Sequence, residues 1–223
     1  MKTISIAIDG PSGAGKSTLA RRTSATLGYI YVDTGAIYRT IGYEMLRKHI
    51  PLEEESAVLE NLPKVELTHG ADGLQHMLLN GEDVTDRIRT PEVSHAASVV
   101  SAHPGVRAYL LDMQRDLART HNVVMDGRDI GTVVLPDATV KIFLTASAEE
   151  RARRRMLELQ EKGIDEPFEQ VLKEIVARDE QDTHRATAPL RKAEDAILLD
   201  TTELNFEESA QALLHLISER TEA

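Results

Sequence analysis

The sequence predicts an α/β fold in which a mostly parallel sheet is covered by helices on both faces. Short apolar runs alternate along the chain with stretches of helical spacing, which is the pattern of a parallel sheet with intervening helices. The first run also leads into a Gly-rich segment that is followed by a helical pattern. Two further stretches break the alternation, and we expect them to be inserts on this core.

The core elements follow in order along the chain. Residues 3–8 form the first apolar run, and helical spacing through Leu19, Thr23 and Leu27 follows the segment DGPSGAGK. Further short runs predict strands at residues 29–32, 123–125, 140–144 and 196–199. Apolar residues that step by three and four predict a helix over residues 106–117 and a C-terminal helix over residues 206–217.

The two inserts differ in pattern. In the first, at roughly residues 63–101, turn sequences at residues 70–73 and at Asn80-Gly81 predict a small antiparallel sheet. A helix then opens at Thr90-Pro91, with Thr as N-cap and Pro at the first helical position. The second insert runs from Ser147 to about residue 191 and opens with the capping-box pattern Ser147-x-x-Glu150. It carries seven arginines: Arg151, Arg153, Arg154, Arg155, Arg178, Arg185 and Arg191.

Composition excludes several classes of function. The chain has 223 residues, a formal net charge of −11 and no cysteine, so a disulfide framework, a cysteine-ligated metal site and a thiol nucleophile are excluded. The acidic balance and the few aromatic residues argue against a nucleic-acid partner. The N-terminal apolar run is too short for a signal peptide, and no stretch reaches membrane-spanning length. We therefore expect a cytoplasmic protein with no membrane partner.

One motif predicts phosphate binding. Residues 10–17, GPSGAGKS, match G-x-x-x-x-G-K-[ST] between a predicted strand and a predicted helix, which is the context of a P-loop. The glycines let backbone N–H groups turn toward phosphate oxygens, and the helix dipole adds positive charge. We expect Lys16 to reach the β- and γ-phosphates of ATP and the Ser17 hydroxyl to bind Mg²⁺. The predicted ATP-binding residues are Gly10, Pro11, Ser12, Gly13, Ala14, Gly15, Lys16, Ser17 and Thr18.

Asp126 closes the apolar segment VVMD. A carboxylate at the end of a strand could hold Mg²⁺ through water, as in a Walker-B arrangement. Many strands also end in Asp because this residue favours turns, so both interpretations stay open. Asp9 and Asp33 are similar cases, and Asp33 is the better functional candidate because it precedes Thr34-Gly35.

The rest of the chain narrows the class of phosphate-binding protein. No Asn is followed by Lys, so the N-K-x-D guanine-reading motif of GTPases is missing. A kinase for a phosphorylated acceptor must neutralise two anions, and it needs arginines on more than one segment. Five arginines are spread in this way: Arg39, Arg107, Arg128, Arg178 and Arg185. The alternative from another class is a regulatory module that binds ATP to control a partner.

At these residues the chain resembles the bacterial cytidylate kinases. The resemblance covers essentially the whole chain in order, and its most specific parts are DGRDIGTVV and the pattern RD-x-x-D-x-x-R-x-x-x-P; the other stretches are IDGPSGAGKST, DTGAIYR, GEDVTDRIRTPEV, DATVKIFL and ERARRR. It implies a P-loop nucleoside-monophosphate kinase fold, expected to act as a monomer. Its parts would be a core (about 1–33, 104–146 and 192–223), an acceptor-binding region with an insert (about 34–103) and a lid (about 147–191).

Carried over residue by residue, the resemblance implies a binding site for CMP. Thr34, Arg39, Arg128 and Arg185 would approach the acceptor phosphate, Ser98, Arg107 and Asp129 would read the cytosine edge, and Arg178 and Asp182 would bind the ribose hydroxyls. The family often has Ser where Thr34 stands, and the hydroxyl is kept. Structural alternatives stay open: Arg107 as a solvated charge, Ser98 as a helix-surface serine, Asp129 as a partner of Arg128, and Arg178 with Asp182 as an intrahelical salt bridge.

The arginine cluster of the second insert places Arg151, Arg154 and Arg155 on one helical face. These side chains either close over the ATP phosphates or pair with acidic neighbours such as Glu149 and Glu158. We take Lys16, Arg128, Arg154 and Arg185 as the predicted catalytic residues.

The predicted function is ATP-dependent phosphorylation of CMP and dCMP to CDP and dCDP, by in-line transfer with Mg²⁺. The alternatives are a P-loop kinase for another nucleoside monophosphate and the regulatory ATP-binding module.

Overall fold

A computed structural model describes residues 3–70, 73–161 and 163–221 of the chain. Its strands are β1 (Ser5–Asp9), β2 (Ile30–Asp33), β3 (Val65–His69), β4 (Gln75–Leu79), β5 (Glu82–Asp83), β6 (Val123–Gly127), β7 (Val140–Thr145) and β8 (Ile197–Asp200). Its helices are α1 (Lys16–Leu27), α2 (Thr34–Arg47), α3 (Glu55–Glu60), α4 (Pro91–Val100), α5 (Pro104–Thr120), α6 (Ala148–Glu161), α7 (Phe168–His184) and α8 (Phe206–Thr221), with a π-helical turn at Ile130–Val134. Within these ranges, no helix is both long enough and apolar enough to cross a membrane.

Five parallel strands form the main sheet in the order β2-β6-β1-β7-β8. One face carries the apolar cluster of Ile6, Ile8 and Leu213, against α1 and α8. The other face carries Ala7, Met125 and their neighbours, against α2 and α5. The predicted parallel sheet flanked by helices is confirmed, and the carboxyl ends of its strands meet where α/β proteins bind ligands.

The first insert contains the predicted antiparallel sheet, in the order β3-β4-β5. Asn80 and Gly81, with φ of 51° and 89°, form the two-residue turn between β4 and β5, where positive φ at both positions matches the twist of a hairpin. The other predicted turn, at residues 70–73, includes residues 71 and 72, which lie outside the described residues. Helix α4 begins as predicted, since the Thr90 side chain accepts a hydrogen bond from the Val93 N–H and Pro91 fills the first position.

Side chains join this insert to the main sheet. The Gln75 carboxamide oxygen accepts from the Asp33 N–H at 2.7 Å, and its nitrogen donates to the Asp33 carbonyl at 3.1 Å. His69 Nε2 donates to the Tyr31 carbonyl at 2.9 Å. The insert therefore holds the end of β2, and with it the start of α2.

The second insert is the helix pair α6 and α7, packed through Ala152, Leu159, Val171 and Ile175. The predicted capping box at its start forms on one side only. Ser147 Oγ accepts from the Glu150 N–H at 3.2 Å, but the Ser147 N–H donates to Thr202 Oγ1. The Glu150 carboxylate instead accepts from Arg154 Nε at 3.0 Å, because a nearby guanidinium is a stronger donor than a backbone N–H.

Candidate active site

A cleft of about 340 Å³ opens at the carboxyl ends of the parallel strands. All nine residues predicted to bind the acceptor line it, and so do Ser12, Gly13, Gly15, Lys16, Ser17 and Thr18 of the predicted ATP site. Seven cationic and five anionic side chains line the cleft, although the chain as a whole has a net charge of −11. The fold therefore concentrates positive charge at one place, as an anion-binding site requires.

The P-loop runs from β1 into α1, with its backbone against the core. Gly10 has φ of 153°, and a Cβ at this position would lie 1.9 Å from the Leu144 carbonyl oxygen, so only glycine fits. Ala14 is fully buried, and Gly10, Pro11 and Ala14 form the back of the loop, behind the residues that line the cleft. The N-terminus of α1 then points its free N–H groups and positive dipole end toward the cleft.

Lys16 lies at the floor of the cleft. Its Nζ donates to the Pro11 carbonyl at 2.6 Å, and its side chain is buried. Burial and the neighbouring charge of Arg128 lower the pKa of Lys16. A bound phosphate would reverse this effect, because it supplies the counter-charge that the buried ammonium lacks.

Asp126 at the end of β6 faces the P-loop rather than a turn. Its carboxylate accepts from Ser17 Oγ and from the Tyr31 hydroxyl, each at 2.8 Å. Burial and the negative charge of Asp33 raise the pKa of Asp126. Of the two interpretations left open by the sequence, this geometry favours the Walker-B one. The role of Tyr31 was missed, since nothing in an apolar strand pattern predicts which hydroxyl will reach a carboxylate on the neighbouring strand of the sheet.

The start of α2 holds the first two predicted acceptor residues. Asp33 caps the helix by accepting from the Ala36 N–H at 2.9 Å and pairs with Arg39 Nη2 at 2.8 Å. The Thr34 hydroxyl donates to the Asp126 carbonyl at 2.7 Å. Arg39 Nε is buried and has no hydrogen-bond partner among the described residues. Asp33 thus orients Arg39 toward the cleft.

The residues expected to read the base form a buried cluster. Arg107 pairs with Asp129, donates to the Ser101 carbonyl at 3.1 Å, and stands 5.4 Å above the centre of the Tyr38 ring. Only 8% of Arg107 is exposed, so the solvated-charge interpretation is wrong. Tyr38 lines the cleft and was missed, although its place four residues after Thr34 on α2 puts both on one face.

Asp129 and Ser98 contact residues other than those that the structural alternatives in the sequence suggested. Asp129 pairs with Arg107 and lies 3.5 Å from Arg185 Nη2, whereas the sequence suggested Arg128. Ser98 Oγ donates to Gln181 Oε1 of α7 at 3.3 Å. The Ser98 contact joins the first insert to the second, and the Asp129–Arg185 contact joins the core to the second insert.

The Arg178–Asp182 salt bridge considered from the sequence is replaced by a different pair. The Asp182 carboxylate accepts from Arg128 Nε at 2.8 Å and lies 3.9 Å from Arg185 Nη1. Arg178 Nε has no hydrogen-bond partner in the described part of the chain, and burial together with Arg128 lowers the pKa of Arg178 to about 10. Asp182 pairs with Arg128 because the turn after β6 brings that guanidinium across to α7.

Arg185 is held at the end of α7. Its Nε donates to the Ala188 carbonyl at 2.7 Å, and its side chain is buried. Within the residues described, Nη2 has no hydrogen-bond partner. Arg185 lines the same cleft as Arg39 and Arg178.

A buried carboxylate positions the turn that carries Arg128 and Asp129. Asp9 accepts from the N–H groups of Ile130 and Gly131, both at 2.7 Å, at the start of the π-helical turn. Burial raises the pKa of Asp9 to about 6. Asp9 therefore supports the site from behind, a role that the sequence did not assign.

Arg154, predicted to be catalytic, lies outside the residues that line the cleft. It donates to Glu150 Oε1 at 3.0 Å and to the Thr201 carbonyl at 2.7 Å. Arg155 does line the cleft and pairs with Glu158 at 3.0 Å. In this arrangement both arginines pair with acidic neighbours, which was one of the two alternatives, and a contact of Arg154 with ATP stays a prediction.

Comparison with known proteins places the chain among nucleotide kinases. A family model described as cytidylate kinase matches residues 6–219. The chain is 54% identical over 217 residues to a cytidylate kinase of Caldicellulosiruptor saccharolyticus, covering 97% of this chain and 96% of that protein. It is 50% identical over 219 residues to one of Bacillus cereus, covering 97% of each. An uncharacterized protein of Eubacterium ventriosum shares the fold, with a TM-score of 0.52, 12% identity and coverage of 98% of this chain and 100% of that one.

Proposed function

The chain belongs to the cytidylate kinase family, and from this membership we propose that it transfers the γ-phosphoryl group of ATP to the phosphate of CMP or dCMP. The products are ADP and CDP or dCDP. The P-loop supplies the donor site, and the nine acceptor-site residues that line the same cleft supply the second nucleotide site.

One observation carries this proposal beyond family membership. Among the residues that line the cleft, three buried guanidinium nitrogens have no hydrogen-bond partner in the described part of the chain: Arg39 Nε, Arg178 Nε and Arg185 Nη2, the last of which lies 3.5 Å from Asp129 Oδ1. Buried donors without acceptors are costly, so they mark the place of an acceptor-rich ligand. Because they come from α2, from α7 and from the residue that follows α7, an anion placed among them would be held from two sides, as the phosphate of CMP requires.

Transfer needs little covalent chemistry from the protein. An oxygen of the CMP phosphate forms a bond to the γ-phosphorus of ATP, and the bond from that phosphorus to the β–γ bridging oxygen breaks, which leaves ADP. Lys16 binds the β- and γ-phosphates, and Arg128 and Arg185 hold the acceptor phosphate in line. These charges neutralise the repulsion between the two phosphates and stabilise the charge on the transferring group.

The residues at the floor of the cleft fit Mg²⁺. Ser17 Oγ and the Asp126 carboxylate are hard oxygen donors 2.8 Å apart, and burial together with the negative charge of Asp33 raises the pKa of Asp126, which a bound cation would offset. Ser17 would bind the ion directly and Asp126 through water. When bound, Mg²⁺ would offset the charge of the donor phosphates.

Recognition of cytosine rests on Asp129, Arg107 and Ser98. Cytosine presents an exocyclic amino donor beside N3 and O2 acceptors, so a carboxylate next to a guanidinium is complementary to it. The buried Arg107–Asp129 pair has this composition, and Ser98 lies at the wall of the same cleft. Asp182 and Arg178 then bind the ribose hydroxyls.

The division into core, acceptor-binding region and lid stays part of the proposal, with α6 and α7 as the lid. The separate apolar cluster of these two helices supports their movement as one unit. That the chain works as a monomer in the cytoplasm stays a prediction.

The test is release of ADP from ATP in the presence of each nucleoside monophosphate in turn, with and without Mg²⁺. We expect turnover with CMP and dCMP that depends on Mg²⁺, and much slower turnover with AMP and GMP. Turnover that favours AMP or GMP would assign another acceptor. Slow ATP hydrolysis that no monophosphate accelerates would favour the regulatory ATP-binding module.

A further inference from the structure

Arg151 joins three parts of the structure through one buried guanidinium. Nε donates to the Ala146 carbonyl at the end of β7, at 2.9 Å, and Nη1 donates to the Ser12 carbonyl of the P-loop, also at 2.9 Å. Nη2 pairs with Asp179 of α7 at 2.7 Å. Only 5% of Arg151 is exposed, so these contacts replace its hydration.

The P-loop also touches both lid helices directly. A Cβ on Gly13 would lie 3.2 Å from Arg151 Cβ and 3.5 Å from Ile175 Cδ1. The tip of the loop therefore packs against α6 and α7 with no side chain between them. If α7 shifts toward the P-loop, the loop must shift with it, because packed atoms cannot overlap; if α7 shifts away, the contact is lost.

Helix α7 faces both nucleotide sites at once. Arg178 and Asp182 line the cleft on the acceptor side, while Asp179, between them, turns to Arg151 and the P-loop. Asp179 Oδ1 is buried without a hydrogen-bond partner among the described residues, so the carboxylate is held by Arg151 through its other oxygen. Acceptor binding to Arg178 and Asp182 thus acts on the helix that fixes the position of Arg151.

We propose that Arg151 and Asp179 are a positioning pair that couples occupancy of the acceptor site to the geometry of the P-loop. This inference rests on the proposed function, since it needs an acceptor that binds α7. Neither side chain is expected to contact the reacting atoms. When CMP binds, α7 holds the Asp179 carboxylate against the Arg151 guanidinium. Arg151 in turn fixes the Ser12 carbonyl, and this orients the N–H groups of the P-loop toward the donor phosphates.

The test measures the affinity of the β,γ-imido analogue of ATP with Mg²⁺ by calorimetry, with and without saturating CMP. In the parent protein, we expect CMP to tighten binding of the analogue ~5-fold or more, the lower end of typical coupling. Asp179→Asn keeps the shape of the side chain but removes its charge, and we expect the effect of CMP to fall below about twofold. Affinity for CMP alone should stay within about twofold of the parent value, since Asp179 does not face the acceptor.

Glu180→Gln is the matched control. Glu180 is exposed and adjacent on the same helix, so this variant removes one negative charge without touching Arg151 and should keep the parent coupling. Arg151→Lys is the second variant: it keeps a cation near Asp179 but cannot contact Ser12, Ala146 and Asp179 together, and it too should lose coupling.

The outcomes separate this inference from the proposed function. If CMP does not affect analogue binding in the parent, or if Asp179→Asn keeps the parent coupling, the positioning pair is wrong, while CMP turnover by the parent would still support the proposed function. If the parent protein does not phosphorylate CMP, the proposed function is wrong, and the positioning pair, which rests on it, is wrong as well. Loss of coupling in Glu180→Gln as well would also overturn the inference, because the effect would then be one of helix charge.

Discussion

Replacing Lys16 by Met tests the donor site with a change that the fold should tolerate. The ammonium is buried, and burial together with Arg128 makes its charged form unfavourable in the free protein. Met keeps most of the volume and removes this cost, whereas loss of the hydrogen bond to the Pro11 carbonyl costs ~1–3 kcal/mol. These two effects oppose each other, so we expect a melting temperature close to that of the parent.

Turnover should respond very differently. Loss of one group that stabilises charge in a transition state costs ~2.7–4 kcal/mol, which lowers kcat by about 100- to 1000-fold. The assay is ADP release with ATP and CMP at saturation, together with thermal melting of the same samples.

Lys141→Met is the matched control for this experiment. Lys141 of β7 also has a mostly buried side chain, and it pairs with Asp195 at 2.7 Å, away from the residues that line the cleft. Its loss should lower stability slightly and leave kcat within about twofold of the parent value. A well-folded Lys16→Met protein that retained more than about a tenth of the parent kcat would refute the assignment of Lys16 to the donor phosphates.

Three further results are expected. Asp182→Ala should raise KM for CMP ~10-fold or more and change KM for ATP little, because a hydrogen bond to a charged group contributes ~1.5–3 kcal/mol. The measurement is steady-state kinetics, and a KM for CMP within about twofold of the parent value would show that Asp182 does not bind the ribose. Gly10→Ala should unfold at a clearly lower temperature in circular dichroism, since its Cβ would lie 1.9 Å from the Leu144 carbonyl oxygen, and an unchanged melting curve would contradict that geometry. The Asp9 carboxyl should titrate near pH 6 in NMR. The stability that its protonated form contributes decreases as the pH rises from about 4 to 6, because the unfolded chain releases the proton while the folded state still holds it. A midpoint below about 4.5 would show that burial does not dominate the pKa of Asp9.

Local sequence signals were sufficient for the features that depend on neighbouring residues. The P-loop needs glycines at fixed spacing between a strand and a helix, and the turn at Asn80-Gly81 needs positive φ at two positions. The cap of α4 needs Thr90 immediately before Pro91, the first residue of the helix. Each of these motifs specifies its own backbone, so each could be read before the tertiary structure was known.

Partners between distant segments could not be predicted in this way. Asp182 was placed with Arg178 by helical spacing, but the turn after β6 brings Arg128 within 2.8 Å of it. Arg154 lies on the predicted face of its helix, yet it pairs with Glu150 and the Thr201 carbonyl and is not among the residues that line the cleft. Asp9 has no local signal for its role, since the N–H groups that it accepts from lie 121 and 122 residues away. The family resemblance supplied the cleft residues, but not their mutual pairing.

The hydrogen bonds from Gln75 and His69 to β2 also affect how copies of the chain can associate. They occupy backbone groups on the outer side of β2, where a strand from a second molecule would otherwise add. At the opposite side of the sheet, β8 pairs with β7 alone among the described strands, and Leu198 there is 56% exposed. The insert thus protects one margin of the sheet from intermolecular pairing, and among the described strands of this sheet β8 is the edge at which another strand could pair.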